Sequence, residues 1–192
     1  MMDIFEGKAA GYDSWFDENP LLLEAEAEAI RQVMPDFRNG VEIGVGTGIF
    51  ASRFGIGTGV DPSPDMGSWA ERRGIRFIRG EAEALPLEDA AFDLALMVTV
   101  DCFLTDPEAS FREVRRVLQP GGKFVIAFLD RETELGAQYE QFKSQDPIYC
   151  HATFHSAAEI TELLKRTGFR PEEARQTVYT LVNEAQPERE GN

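Results

Sequence analysis

Residues 41–50 read VEIGVGTGIF, and this run sets the pattern for the rest of the chain. Val41, Glu42 and Ile43 favour a strand and lead into Gly44, Gly46 and Gly48; Ile49, Phe50 and Ala51 follow as the first turn of a helix. Glycine has no Cβ, so it takes positive φ and lets a ligand lie against the backbone. The helix then opens with free N–H groups and the positive end of its dipole toward that ligand. The stretch therefore predicts a binding turn for a polar or charged ligand.

On both sides of this turn, strand and helix signals alternate. Asn19-Pro20 predicts a helix start, with a capping side chain and then proline at the first helical position, followed by LLLEAEAEAIRQVM. Gly57 to Val60 is a second strand ending at Asp61. Pro64 to Arg73 is a helix closed by Gly74, and Ile75 to Ile78 is a third strand. Gly80 to Asp89 is a loop with helical tendency at Glu81 to Leu85. Phe92 to Val98 (FDLALMV) is a continuous apolar run, as in a strand buried on both faces. Asp106-Pro107 repeats the cap-then-proline start. Pro120-Gly121-Gly122 predicts the stop of that helix, and Lys123 to Leu129 another buried strand. The alternation implies an α/β fold, a doubly wound, mostly parallel sheet with helices on both faces. Its ligand edge, beyond the carboxyl ends of the strands, collects Gly44 to Gly48, Asp61, Gly80 to Ala82 and Thr99 to Phe103.

Residues 131–155 break the alternation. They are polar and aromatic, with a short helix expected around Tyr139 to Lys143, and they predict a lid or substrate wall inside a single domain of residues 1–192. Ser156 to Glu159 is a capping box opening a last helix. Arg175 to Val182 alternates as a sixth strand. The tail from Asn183 has no strand pattern, which leaves an open sheet edge where another subunit could pair.

The chain has 192 residues and a formal charge of −15, which argues against a nucleic-acid partner, since phosphate binding needs a basic surface. No segment is long and apolar enough to span a membrane, and the acidic N-terminus is not a secretory signal. The two cysteines, Cys102 and Cys150, lack metal-site or disulfide spacing and read as reduced thiols of a cytoplasmic protein.

A dinucleotide fold calls for G-x-G-x-x-G, whereas the spacing here is E-x-G-x-G-x-G. Asp61 ends the second strand, GEAEALPLEDAAFDLALMV follows, and then comes FREVRRVLQPGGKFVIA. In this order and spacing, the motifs resemble class I S-adenosylmethionine-dependent methyltransferases, in particular the small-molecule, ubiquinone/menaquinone-biosynthesis-like branch, over roughly Tyr12 to Phe169. The resemblance implies a Rossmann-like methyltransferase core with S-adenosylmethionine as cofactor and a small-molecule methyl acceptor. It implies that Gly44, Val45, Gly46 and Gly48 wrap the methionine part, with Glu42 facing its ammonium. Asp61 would hold the ribose hydroxyls, and Pro62 and Met66 would flank the adenine. Glu81 and the Ala82 N–H would bond the adenine, Thr99 would line the cofactor near the methyl, and Tyr12 would close over it.

Methyl transfer from a sulfonium is an in-line displacement that depends mainly on positioning and desolvation, and no catalytic triad is visible. Candidates for proton transfer are Asp101, which reads equally as a loop cap, and His151. His155 adjoins the Ser156 cap and reads as structural, and no residue spacing supports a metal site. The competing readings are a non-catalytic S-adenosylmethionine-binding or regulatory protein of the same fold and a nicotinamide-dependent reductase, the latter disfavoured by the glycine spacing.

Overall fold

The computed structural model describes residues 4–178. Five parallel strands, β1 (Gly40–Ile43), β2 (Thr58–Asp61), β3 (Arg76–Arg79), β4 (Phe92–Val98) and β5 (Leu118–Ala127), form one sheet in the order β3-β2-β1-β4-β5. Around it lie helices α1 (Ala9–Glu18), α2 (Pro20–Val33), α3 (Ile49–Phe54), α4 (Pro64–Arg72), α5 (Pro107–Val117), α6 (Glu134–Phe142) and α7 (Ala157–Arg166). The chain builds outward from β1 to β3, then crosses back to β4, so the strand order reverses between β1 and β4. Such a reversal opens a crevice at the carboxyl ends of the two strands.

Strand periodicity sorts the core into two layers. Val41 and Ile43 of β1 and Ala95 and Met97 of β4 face Phe111, Val114 and Val117 of α5 and Ile160 and Leu163 of α7. Leu94 and Leu96 face the other way, into a layer with Leu23 and Ile30 of α2, Phe50 of α3 and Ala70 of α4. Glu42, between Val41 and Ile43, is thereby turned into this second, apolar layer.

The α/β architecture agrees with the sequence; several local elements do not. Residues 9–18 form a helix that no cap or proline signal announced. Asn19 makes no side-chain cap for α2; its Nδ2 instead donates to the Trp15 carbonyl at 2.8 Å, closing α1 from behind. Residues 81–85 form no helix but a tight turn with a Glu81–Ala84 bridge. This turn is clamped from α5: Glu113 accepts the Leu85 N–H at 2.8 Å, and Arg116 donates to the Leu85 and Leu87 carbonyls. Pro120-Gly121-Gly122 does not stop α5. Leu118 already pairs with Phe92, and the tripeptide makes a register irregularity inside β5, because proline has no N–H for the ladder. β5 is only partly buried, since it is an edge strand among the described residues. Helix α6 starts five residues before the expected Tyr139, where Thr133 Oγ1 accepts the Gly136 N–H at 3.0 Å. Of the expected sixth strand, residues 175–178 form no strand; residues 179–182 and the polar tail lie outside the described residues.

Candidate functional site

The glycine turn sits at the crevice. The Gly44 and Val45 N–H groups both donate to the Val60 carbonyl, at 2.8 and 3.0 Å, so the turn is anchored on β2. A Cβ on Gly44 would lie 2.3 Å from Val100 Cγ2, which explains how the turn can press against the end of β4. A Cβ on Gly48, at φ +78°, would lie 2.3 Å from Ile75 Cδ1 and 3.2 Å from Ala70 Cα, so this glycine serves the packing of α3 on α4. Asp61 fastens the turn from the side: its Oδ2 accepts the Gly46 N–H and its Oδ1 the Ser63 N–H, each at 2.9 Å.

A cavity of about 590 Å³ opens over this turn, within the range of ~300–1,000 Å³ usual for small-molecule sites. Gly44, Gly46, Asp61, Pro62, Met66, Ala82 and Thr99 line one side of it. Thr99 holds φ +54°, a strained conformation for a β-branched residue, at the point where β4 ends in the cavity wall. Tyr12 and Trp15 cover the cavity from α1. Helix α1 is tied down by Ala9 N–H to Asp65 Oδ2 at 3.0 Å and by the Asp13–Arg73 ion pair, with Arg73 also donating to the Thr47 carbonyl. The far wall is aromatic. Phe103 stacks on Tyr149 with ring centroids 5.9 Å apart, and Tyr149 meets Tyr139 edge-on at 5.1 Å. Residues 131–155 supply most of this wall and dock on the segment after β4, where the Thr153 N–H donates to the Cys102 carbonyl at 2.8 Å.

The structure thus brings Tyr12, Gly44, Gly46, Asp61, Pro62, Met66, Ala82 and Thr99 to one cavity. Val45 turns its side chain inward against Gly59, and Gly48 lies behind the turn. Glu81 is exposed beside the cavity, whose wall there is Gly80 and Ala82. Asp101 and His151 do not line it. Asp101 is buried at 1% exposure, and its Oδ2 meets His155 Nδ1 at 3.0 Å. His151 is exposed at the end of its turn. Among the described residues no cluster of three or more His, Cys, Asp or Glu could hold a metal, and no helix is long and apolar enough to cross a membrane.

The electrostatics centre on two carboxylates. Glu42 is 2% exposed, its Oε2 has no hydrogen-bond partner, and its carboxylate accepts the Ala51 N–H at the start of α3. Burial, and to a lesser degree the charge of Asp61, pushes its carboxyl well above the usual range, with the Ala51 bond opposing. The second is Glu26 of α2, which lines the aromatic side of the cavity and is pushed up to about 7 by burial. Burial and the charges of Glu42 and Glu26 in turn raise the phenol of Tyr12. Sequence reading missed Glu26 and Trp15 as cavity residues, because in the sequence they look like a solvated helix face and an ordinary packing aromatic; Phe103 falls on the expected ligand edge and Tyr139 in the expected substrate wall.

An orphaned buried carboxylate oxygen beside the turn, a second carboxylate at the end of β2, and small residues between them suit a ligand with a cationic amino-acid end and a hydroxylated ring. S-adenosylmethionine has both. Residues 41–126 match the family model described as a methyltransferase domain. An uncharacterized protein of Methanocaldococcus jannaschii is 43% identical over 95% of this chain and 88% of its own length. A solved S-adenosylmethionine-dependent methyltransferase of Thermotoga maritima, described as a possible histamine N-methyltransferase, superposes with a TM-score of 0.86 at 41% identity, covering 89% of this chain and 82% of that one. A phosphoethanolamine N-methyltransferase of Haemonchus contortus, solved with S-adenosylmethionine, gives a TM-score of 0.60 at 25% identity, covering 76% of this chain and 36% of that one.

Proposed function

The chain belongs to the class I S-adenosylmethionine-dependent methyltransferases, and from that premise we propose that it methylates a small molecule held against the aromatic wall of the cavity. One observation carries the reading: the glycine turn with Asp61 and the wall of Phe103, Tyr139 and Tyr149 line a single continuous cavity. A cofactor on the first and an acceptor on the second would share one desolvated space.

When bound, S-adenosylmethionine supplies a methyl group activated by a sulfonium. What remains for the chain is binding, alignment and exclusion of water. In this reading the turn of Gly44, Val45, Gly46 and Gly48 holds the amino-acid end of the cofactor, and Glu42 meets its ammonium. Asp61 takes the ribose hydroxyls, Pro62 and Met66 flank the adenine, and the Ala82 N–H and Glu81 bond its edge. Arg116 and Glu113 keep the Glu81-Ala82 turn in place. Thr99 borders the transfer point, and Tyr12 on α1 closes the site against water. Asp101 and His151 take no proton here, one because it is committed to His155 and the other because it lies outside the cavity.

The test has two stages. Calorimetry with S-adenosylhomocysteine should show one site per chain. Transfer of radiolabelled methyl from S-adenosylmethionine is then screened over small amines, phenols, thiols and alcohols, with histamine included because of the Thermotoga relative's description. Binding with no transfer to any acceptor would favour a non-catalytic, regulatory role. No binding would overturn the reading.

A further inference from the structure

Helix α2 carries three glutamates at alternate positions, Glu24, Glu26 and Glu28, and only two have basic partners. Glu24 pairs with Arg53 at 3.0 Å, and Glu28 pairs with Arg31 on the solvent side. Glu26 lies three and four residues from Leu22, Leu23 and Ile30, the buried face of the helix, so the helical repeat carries it inward. It lines the cavity, and among the described residues it has neither a hydrogen bond nor an ion pair. A carboxylate set on an apolar face without a partner is costly, and such a group in a cleft marks a site where a ligand supplies the partner.

The surroundings state the sign of that ligand. Tyr12 and Trp15 of α1, Tyr139 of α6 and Tyr149 share the cavity with Glu26, and burial, with the Glu26 charge as a smaller contributor, raises the phenols of Tyr12, Tyr139 and Tyr149. Aromatic faces attract cations. The other acids lining the cavity are Asp61, on the glycine-turn side, and Asp146, whose Oδ1 is taken up by the Ile148 and Tyr149 N–H groups. Among the described residues the lining holds one basic side chain, Lys8, and its neighbours Glu6 and Ala9 bond to Ser63 and Asp65 at the β2–α4 end. An anionic acceptor would meet repulsion, and a neutral one would leave Glu26 unpaired.

We propose that the methyl acceptor is a small amine with an apolar or aromatic body, and that Glu26 is the specificity-determining residue that holds its ammonium; where that nitrogen is itself methylated, the ammonium first gives a proton to the Glu26 carboxylate and the freed lone pair takes the methyl as the carbon–sulfur bond breaks. The inference deepens the methyltransferase reading and rests on it. The helix spacing places the carboxylate, the aromatic rings form the seat for the amine's body, and the amine's charge replaces the partner that Glu26 lacks. Burial has pushed the Glu26 carboxyl up to about 7, so a bound ammonium restores its ionised form.

The experiment uses the full chain saturated with S-adenosylhomocysteine and calorimetric titration with matched probes: phenethylamine and cyclohexylmethylamine, the alcohols 2-phenylethanol and cyclohexylmethanol, and 3-phenylpropionate. The amines should bind at least ~10-fold more tightly than their alcohols, as expected for a charge-assisted contact, and the carboxylate should not bind. In Glu26→Gln that preference should collapse while S-adenosylhomocysteine affinity stays within about twofold, which also reports an intact fold. Glu26→Asp should keep part of the preference. Equal binding of amines and alcohols, absence of amine binding, or a preference that survives Glu26→Gln would overturn the inference alone. Failure of S-adenosylhomocysteine to bind at the first step would bring down the methyltransferase reading and this inference with it.

Discussion

Replacing Glu42 with glutamine separates its two jobs, because the amide keeps the shape and loses the charge. In the unliganded protein the side-chain carbonyl of the introduced glutamine can still accept the Ala51 N–H, so the start of α3 stays capped. The variant also removes a carboxyl that is 2% exposed and whose ionisation is opposed by burial and by Asp61. Stability at pH 8 should therefore hold or rise, by about 1 kcal/mol. Ligand binding should move the other way. A hydrogen bond between a carboxylate and an ammonium contributes about 1.5–3 kcal/mol, so S-adenosylhomocysteine should bind roughly 10- to 150-fold more weakly. Protons give an independent readout. Glu42 titrates well above the usual carboxylate range when the site is empty, and a neighbouring ammonium lowers it, so binding near neutral pH should release protons. Calorimetry in phosphate and in Tris measures that release from the difference in heat, and the Glu42-linked part should vanish in Glu42→Gln. Unchanged affinity together with unchanged proton release would refute the assignment and leave Glu42 as a cap of α3.

Further outcomes concern stability. The Glu26 carboxyl is raised from 4.5 to about 7, so between those pH values the native state binds more protons than the unfolded state and its stability falls as pH rises. Urea titrations should then find Glu26→Gln about as stable as the parent at pH 4.5 and more stable, by about 1–3 kcal/mol, at pH 8; equal stability at both would contradict the burial argument. Gly48→Ala forces a Cβ against Ile75 and Ala70 at a positive φ and should cost about 2–4 kcal/mol in urea unfolding, with S-adenosylhomocysteine affinity reduced as the turn shifts. His155→Ala removes the partner of buried Asp101, whose other oxygen is already unpaired. It should cost about 1–3 kcal/mol, and much less in an Asp101→Asn background, a coupling read from a double-mutant cycle.

The first four strands, the glycine turn and the placement of Asp61 were legible because each rests on a local rule. A β-favouring run ends in glycines, a cap precedes a helix, and an apolar run such as FDLALMV has nowhere to be but a buried strand. Where a local rule met a tertiary competitor, it lost. Asn19 has the chemistry of a cap, but the Trp15 carbonyl at the end of α1 takes its side chain. Pro120-Gly121-Gly122 has the chemistry of a break, but pairing with β4 resumes on both sides of it. The Glu81 to Leu85 stretch has helical composition, but Glu113 and Arg116 hold its backbone as a turn.

The sequence by itself determined the sheet, the edge where the cavity opens and the family, since these depend on spacing along the chain. Only the tertiary structure decided what surrounds the cavity. Strand alternation turned Glu42 into the layer beneath the turn. The helical repeat of α2 carried Glu26 inward while its neighbours Glu24 and Glu28 found arginines outside. Docking of residues 131–155 brought Tyr139 and Tyr149 to the cavity and left His151 outside it. A glutamate's role is set by what surrounds its carboxylate, and those surroundings come from segments distant in the chain.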